Sequence, residues 1–211
     1  MRLQSKYELL ILDYGGTYSF EYDISSFDKI MLNSFGKIPK PNEKLAINKA
    51  SHLFAAGNVT TEEYVKQVAN IINVPAPKSQ TFEQATISVT HDPSDSMRRL
   101  VASTRSRGIK VALLSNMYEF EVIKTRPSGR YDGFDLTTFS TEAKLTKSDP
   151  IFFKQVLDHF GVAADRTLFV DDIIEYVNVA QTLNIHTLHA SKKTIHSAQQ
   201  LAEAITTELL D

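Results

Sequence analysis

The chain contains no cysteine, which excludes disulfide bonds, thiolate metal sites and cysteine nucleophiles. It also lacks an excess of charge of one sign. A net charge of −2 gives no electrostatic reason to expect nucleic acid or an anionic membrane as a partner. No segment approaches the roughly 20 apolar residues of a membrane span, and the first residues lack the features of a signal peptide. These absences favour a cytoplasmic protein that binds neither nucleic acid nor membrane.

A chain of 211 residues is long enough for one α/β domain that carries a smaller insert. The apolar run at 7–12 is too short for a helix and is closed by Gly15 and Gly16, so we predict a buried strand. From residue 91 onward, strands and helices alternate. The predicted helices lie at 94–107, 118–124, 150–160, 175–183 and 195–210, and the predicted strands at 110–114, 136–139, 167–170 and 186–188. This alternation predicts a doubly wound parallel sheet that binds ligands at the carboxyl ends of its strands.

The stretch between the first strand and this alternation reads as helices. Apolar spacing predicts helices over 24–35, 42–56 and 60–72, the last opened by a capping box at Thr60, and another helix from about Phe82. We therefore expect an α/β core at 1–17 plus 91–211, with a helical cap at 18–90 inserted after the first strand. Phe20, Tyr22 and Phe54 are candidates for shaping a pocket under this cap, although such side chains more often belong to a helix core.

Polar residues stand at the ends of the predicted strands. Asp13 ends the first strand, Ser115 and Asn116 end the second, and Asp171 and Asp172 end the strand at 167–170, while Lys147 precedes a helix. Close carboxylates repel one another unless a cation lies between them, and oxygen ligands suit Mg²⁺. A lysine and a hydroxyl add charge and hydrogen bonds for a transferring phosphoryl group. The set indicates phosphate chemistry, with an aspartate as the covalent nucleophile.

Each of these residues also has an ordinary structural interpretation. Asp-x-Gly-Gly is usually a turn, the pairs 115–116 and 171–172 could cap helices, and a single lysine is usually solvated. The histidines are scattered, and His186 and His189 flank the last strand as structural or surface residues. The order of the four segments along the chain is what favours a functional site.

That order resembles the haloacid dehalogenase-like (HAD) hydrolase superfamily. The four motifs are LILDYGGT at 10–17, VALLSN at 111–116, KSDPIFF at 147–153 and TLFVDD at 167–172. The first two look most similar to the glucose-1-phosphatase type and to the phosphatase domain of soluble epoxide hydrolase. The resemblance implies a Rossmann-like core with a helical cap, and a Mg²⁺-dependent phosphatase that acts on a small phosphorylated metabolite.

The resemblance also implies a role for each matching residue. Asp13 would be the nucleophile, forming an aspartyl-phosphate, and would also bind Mg²⁺ together with the carbonyl of Gly15 and with Asp171 and Asp172. Lys147 would pair with Asp13 and phosphate, and Thr17 would orient the loop as part of the catalytic set. The residues that would hold the phosphoryl group or substrate are Gly16, Ser115, Asn116 and Lys147.

One departure concerns position 15. Most phosphatases of this kind carry a second aspartate there as general acid and base, whereas Gly15 has no proton to donate. Such help is worth about 10²–10⁴-fold in rate. Glu21 or Asp23 are candidate replacements by proximity in sequence. A second departure is Tyr176, where relatives often have asparagine.

Two other functions stay open at this point. The chain could be a catalytically impaired relative that binds a phosphorylated ligand or partner, or, less favoured, a dehalogenase, which would need no Mg²⁺. The sequence leaves the substrate and the oligomeric state open.

Overall fold

The computed structural model describes residues 6–22 and 24–210, and its centre is a parallel sheet of five strands in the order β3-β2-β1-β4-β5. The strands are β1 (Leu9–Leu12), β2 (Lys110–Ser115), β3 (Leu136–Phe139), β4 (Thr167–Asp171) and β5 (His186–His189). β1 lies between β2 and β4, with Leu12 opposite both Leu113 and Val170. The predicted parallel, doubly wound sheet is confirmed.

Both faces of the sheet are covered by helices. Side chains alternate between the two faces along each strand, and here the side chains on both faces are apolar and must be buried. On β1, Leu10 and Leu12 pack on one face and Leu9 and Ile11 on the other. The first face is covered by α5 (Asp95–Ser106) and α10 (Ala198–Leu210), the second by α8 (Pro150–Phe160) and α9 (Ile174–Thr182). Full burial of one large apolar side chain stabilises a fold by about 1.5–3 kcal/mol. Because each of the two cores contains many such side chains, the strands and their ends are held in fixed positions.

Four helices follow β1 and pack around an apolar core of their own. They are α1 (Ile24–Phe35), α2 (Pro41–Ala55), α3 (Thr61–Ile72) and α4 (Ser79–Ser88). Phe54 stacks on Tyr64 at the centre of this core, with ring centroids 4.3 Å apart. The side chain of Thr60 accepts a hydrogen bond from Glu63 N–H, as the predicted capping box requires. We propose that these helices form a cap domain on the α/β core.

The chain crosses twice between the sheet domain and these helices, and the two crossings lie side by side. The carbonyl of His91, on the return crossing, accepts hydrogen bonds from Tyr14 Oη and Ser19 Oγ, both at 2.8 Å. Tyr18 and Phe20 on the outward crossing pack in the core of the sheet domain. These contacts place the cap helices next to the loop that follows β1.

Several element boundaries differ from the sequence prediction. The last helix begins at Ala198 rather than at 195, because Ser197 Oγ accepts a hydrogen bond from Gln200 N–H and caps the helix there. The fourth cap helix begins at Ser79, about one turn before Phe82. The predicted short helix is α6 (Glu119–Thr125), and a further short helix, α7 (Ser140–Ala143), was not predicted. Among the described residues, no helix combines the length and the apolar character needed to cross a bilayer.

Candidate active site

The residues of the first and fourth motifs are brought together by strand pairing. β1 and β4 are neighbours in the sheet, and Asp13 N–H donates a hydrogen bond to the carbonyl of Val170 at 3.0 Å. Asp13 and Asp171 therefore leave adjacent strands at the same edge. The loop after β1 turns back at once, since Tyr18 N–H donates to the carbonyl of Asp13 at 3.1 Å.

Lys147 lies between two of these carboxylates. Its Nζ is 2.5 Å from Asp13 Oδ1 and 2.5 Å from Asp171 Oδ2, and its side chain is only 2% exposed. Burial by itself would lower the pKa of Lys147, but the charges of Asp13 and Asp171 raise it above its ordinary value. The lysine is therefore held as an ammonium, as the predicted pairing with Asp13 requires.

The second motif supplies one contact to Asp13 and one to the lysine segment. Ser115 Oγ donates a hydrogen bond to Asp13 Oδ1 at 3.1 Å. Asn116 Oδ1 accepts a hydrogen bond from the backbone N–H of Lys147 at 3.0 Å, and its Nδ2 donates to Tyr176 Oη at 3.0 Å. Both ends of the Asn116 amide are thus engaged, which fixes its orientation beside Lys147 and Tyr176.

Three carboxylates at this edge form a group that could hold a metal ion. Asp13, Asp171 and Asp172 each present an oxygen atom, and these oxygens lie within 4.8 Å of one another. Burial, followed by the negative charge of Asp13, raises the pKa of Asp172 to about 7. Burial also raises the pKa of Asp171, against the opposing charge of Lys147. A single ammonium leaves three clustered carboxylates under-neutralised, and hard oxygen donors suit a divalent cation such as Mg²⁺, so these residues fit one.

Backbone contacts hold the two acidic residues of the fourth motif in place. Asp171 Oδ1 accepts a hydrogen bond from Ile173 N–H at 2.8 Å, and the carbonyl of Asp172 is hydrogen-bonded to His189 Nε2 at 3.0 Å. His189 therefore has the structural role expected of it. Gly16 adopts a φ of +76° and lies against the Asp172 carboxylate, where any side chain would overlap it.

Position 15 lies under a tyrosine from the outward crossing. A Cβ atom on Gly15 would be 3.4 Å from Cδ1 of Tyr22, an ordinary van der Waals distance. Thr17 Oγ1 is buried and has no hydrogen-bond partner among the described residues. Of the two acidic residues suggested as replacement acids, Glu21 is exposed and Asp23 lies outside the described residues. The catalytic role of Thr17 and the binding of a metal by the Gly15 carbonyl stay predictions.

A cavity of about 660 Å³ opens from this edge toward the cap helices. Gly15, Ser115 and Asn116 are among the residues that line it. Of the three aromatic residues proposed to shape a pocket, Tyr22 lines the cavity, whereas Phe20 and Phe54 are buried in the two cores.

Some residues that shape the site were not identified as such from the sequence. Tyr176 was noted only as a departure, yet it binds Asn116, and its ring centroid lies 4.8 Å from Lys147 Nζ. Ser140 Oγ donates to the carbonyl of Ala55 at 2.6 Å and so joins α7 to the end of α2. No local sequence pattern predicts a contact between residues so far apart in the chain as Ser140 and Ala55. The tyrosine at 176, where relatives often have asparagine, could have indicated a residue of the site.

Comparison with protein families agrees with this fold, and the matched segment contains the second, third and fourth motifs. Residues 24–180, well over half of the chain, match the haloacid dehalogenase-like hydrolase family. The chain therefore belongs to the haloacid dehalogenase-like hydrolases, as the motifs predicted.

Two curated proteins are similar to the chain over about two thirds of its length. One is acyl-CoA dehydrogenase family member 10 of Mus musculus, 23% identical over 143 residues that cover 66% of this chain and 13% of that protein. The other is the sesquiterpene phosphatase astK of Aspergillus oryzae, 27% identical over 138 residues that cover 64% of this chain and 69% of that protein. The chain thus spans only a small part of the mouse protein.

The fold is shared with a solved HAD family enzyme from Bacteroides thetaiotaomicron, crystallised in complex with magnesium and inorganic phosphate. The TM-score is 0.68 at 22% identity, and the alignment covers 87% of this chain and 93% of that one. This similarity supports the fold.

Proposed function

We propose that the protein is a Mg²⁺-dependent phosphatase that acts on a small phosphorylated metabolite, with Asp13 as the nucleophile. The observation that carries the proposal is the position of Lys147, whose buried ammonium contacts Asp13 Oδ1 and Asp171 Oδ2 at the end of the sheet. An ammonium at this position offsets the negative charge that builds up when a carboxylate approaches an anionic phosphoryl group.

In the first step, an oxygen of Asp13 attacks the phosphorus atom, and the bond between phosphorus and the ester oxygen breaks. The phosphoryl group is then carried by Asp13 as an aspartyl-phosphate, and the leaving oxygen departs as an anion that takes a proton from solvent water. Lys147, Ser115 and Asn116 supply positive charge and hydrogen bonds to the phosphoryl oxygens. In the second step, water attacks phosphorus and gives a proton to solvent, and the bond between phosphorus and the Asp13 oxygen breaks, which releases inorganic phosphate and restores the Asp13 carboxylate.

The residues proposed to hold Mg²⁺ are Asp13, Asp171 and Asp172, with the carbonyl of Gly15. When bound, the ion supplies Lewis-acid stabilisation of charge on a phosphoryl oxygen. Gly16 lets the loop after β1 approach the Asp172 carboxylate closely, so the backbone itself helps to arrange these ligands.

The leaving alcohol receives no proton from residue 15, because Gly15 has no acidic side chain. Esters whose leaving group is stable as an anion need such help least. On the stability of the leaving group alone, we therefore expect acyl phosphates, aryl phosphates and anomeric sugar phosphates to be hydrolysed faster than simple alkyl phosphates.

Two comparisons support the assignment to phosphate chemistry. One relative is named as a phosphatase, and a protein of the same fold was crystallised with magnesium and phosphate. The paired Asp171 and Asp172 also favour a metal-assisted reaction over dehalogenation, for which no cation is required.

A panel of phosphate esters, assayed with and without Mg²⁺, tests the proposal. We expect Mg²⁺-dependent phosphate release that Asp13→Asn abolishes, while the exposed Asp165→Asn retains the wild-type rate. Hydrolysis that is unaffected by Asp13→Asn or by removal of the metal would contradict the proposal.

Gly15 specifically favours the second candidate function, in which the protein binds a phosphorylated ligand without hydrolysing it. That function predicts a rise in melting temperature with Mg²⁺ and beryllium fluoride, combined with no phosphate release from any ester of the panel. Phosphate release from the panel would exclude it.

A further inference from the structure

The cavity beside Asp13 is lined both by residues of the second motif and by the cap helices. Ser115, which donates a hydrogen bond to Asp13, and Asn116 line one part of it, and side chains of the cap helices α1 to α4 line another. A phosphate monoester whose phosphoryl group lies at Asp13 would therefore direct its alcohol portion into this cavity. The chemistry of the walls then decides which alcohols fit.

Most of the exposed surface of the cavity is apolar, although Asn48, Ser51, His52, Thr86 and Thr90 also line it. The large apolar side chains include Tyr22, Phe27, Ile30, Met31, Tyr64 and Phe82. Several of these also belong to the apolar core of the cap, which fixes their positions. Side chains held in this way form a preformed surface for carbon-rich ligands, because burying apolar area from water is favourable without directional bonds.

Cationic groups in the walls are few. Among the described residues that line the cavity, Lys44 is the only lysine or arginine, and its Nζ is 2.6 Å from Asp28 Oδ1 in an ion pair. A di- or triphosphate chain, or an alcohol carrying a second phosphate, would place several negative charges here without matching cations. Nucleotide and bisphosphate substrates are therefore disfavoured.

Of the two described acidic residues that line the cavity, Glu121 and Glu175, Glu121 is poorly solvated. Glu121 lines the cavity beside Tyr118, and burial raises its pKa from 4.5 to about 7. The pKa of a carboxyl group rises where few water molecules can solvate its charged form. A sugar would bring several hydroxyl groups into such a site, and each would need a partner.

We propose that this cavity binds the leaving group of the substrate and selects phosphate monoesters of bulky, apolar alcohols or phenols over sugar phosphates and nucleotides. The inference rests on the proposed phosphatase function and adds its substrate class. The volume agrees with it, since about 660 Å³ falls inside the range of ~300–1,000 Å³ typical of pockets that enclose drug-sized ligands.

The test compares substrates that differ in apolar size but not in reactivity. Phenyl phosphate and 2-naphthyl phosphate have leaving groups of similar acidity, so a difference in kcat/KM between them reports the cavity. We expect 2-naphthyl phosphate to exceed phenyl phosphate by roughly tenfold or more, since one added methylene in an apolar pocket is already worth ~10-fold. Glucose 6-phosphate and AMP should be hydrolysed more slowly than either.

A variant links this preference to the cavity wall. Phe27→Ala removes a lining ring, and Leu32→Ala, on the same helix but half exposed and outside the cavity, is the matched control. Phe27→Ala should reduce the naphthyl-to-phenyl ratio at least threefold, whereas Leu32→Ala should preserve it.

The possible failures are distinguishable. Hydrolysis of phenyl phosphate with an equal or lower rate for 2-naphthyl phosphate, or with sugar phosphates or nucleotides as the best substrates, would overturn the substrate class and leave the phosphatase standing. Absence of hydrolysis of every ester would overturn the phosphatase itself, and the substrate class with it.

Discussion

The backbone of Gly16 lies directly against the carboxylate of Asp172, so that a Cβ atom at position 16 would be 2.5 Å from Cγ of Asp172. This distance is well below any normal contact between unbonded carbon atoms. The glycine therefore permits both a left-handed backbone, with φ +76°, and the close approach of one proposed metal ligand.

Gly16→Ala should weaken Mg²⁺ binding by about 10–100-fold, the usual effect of disturbing residues that orient metal ligands. Isothermal titration of Mg²⁺ measures this loss. The matched control is Gly36→Ala, because Gly36 also has a positive φ of +67° but a Cβ atom there would have no neighbour within 4 Å. Both variants should lose ~1 kcal/mol of stability through backbone strain. Equal Mg²⁺ affinities in the two variants would contradict the role given to Gly16.

Lys147→Met should destabilise the metal-free protein by about 3–5 kcal/mol, because it leaves Asp13 and Asp171 buried without their cation. Mg²⁺ should reduce this loss, since it would neutralise the same carboxylates. Urea unfolding with and without Mg²⁺ measures both effects. Lys154→Met, at an exposed position on α8, should leave the free energy of unfolding unchanged. A Lys147→Met variant as stable as Lys154→Met would show that the buried charges are compensated in another way.

Gly15→Asp should accelerate hydrolysis of an alkyl ester such as glycerol 2-phosphate by about 10²-fold or more, since general acid catalysis is typically worth ~10²–10⁴-fold. The backbone at Gly15 lies outside the left-handed region and a Cβ there makes only ordinary contact with Tyr22, so the variant should fold. Gly15→Asn is the control, because asparagine has a similar size and no acidic proton. Phenyl phosphate should respond less than the alkyl ester. If the Asp and Asn variants behave alike, the missing acid does not limit the rate.

Glu121→Gln should change how stability depends on pH. Burial raises the pKa of Glu121 to about 7 in the folded protein, against 4.5 for the ordinary group. Between these values the folded state binds more protons than the unfolded state, so wild-type stability falls as pH rises toward 7 and then levels off. The variant does not lose stability in this way. Its free energy of unfolding should exceed that of the wild type by about 1–3 kcal/mol at pH 8, and the two values should converge near pH 4.5.

Free energies of unfolding at several pH values check this expectation. Glu119→Gln, at an exposed position on the same helix, should give a curve parallel to that of the wild type. If the free energy of unfolding of Glu121→Gln depends on pH in the same way as that of the wild type, Glu121 ionises in the folded protein as readily as in the unfolded chain.

The sheet and the grouping of the acidic residues could be predicted because both depend on short local patterns. The apolar runs before Asp13 and Asp171 define parallel strands, and the carboxyl ends of neighbouring parallel strands meet at one edge. The position of Lys147 could be predicted only through the resemblance, since its sequence neighbourhood looks like any exposed turn.

The cap side of the site could not be predicted in the same way. Which face of each cap helix meets the cavity depends on how the helices pack on one another and on the core. Phe54 points inward and stacks on Tyr64, whereas Tyr22 faces Gly15. The hydrogen bond between Asn116 and Tyr176 joins residues 60 positions apart, and periodicity carries no signal for such a pair.

The proposed reaction requires Asp13 to carry the phosphoryl group during turnover. Rapid acid quenching of the protein during turnover of phenyl phosphate with Mg²⁺, followed by peptide mass spectrometry, tests it most directly. We predict one added phosphoryl group on the peptide that contains Asp13, absent in Asp13→Asn and lost on mild alkaline treatment. Phosphate release at the wild-type rate by Asp13→Asn, or a phosphoryl group found on a different residue, would contradict it.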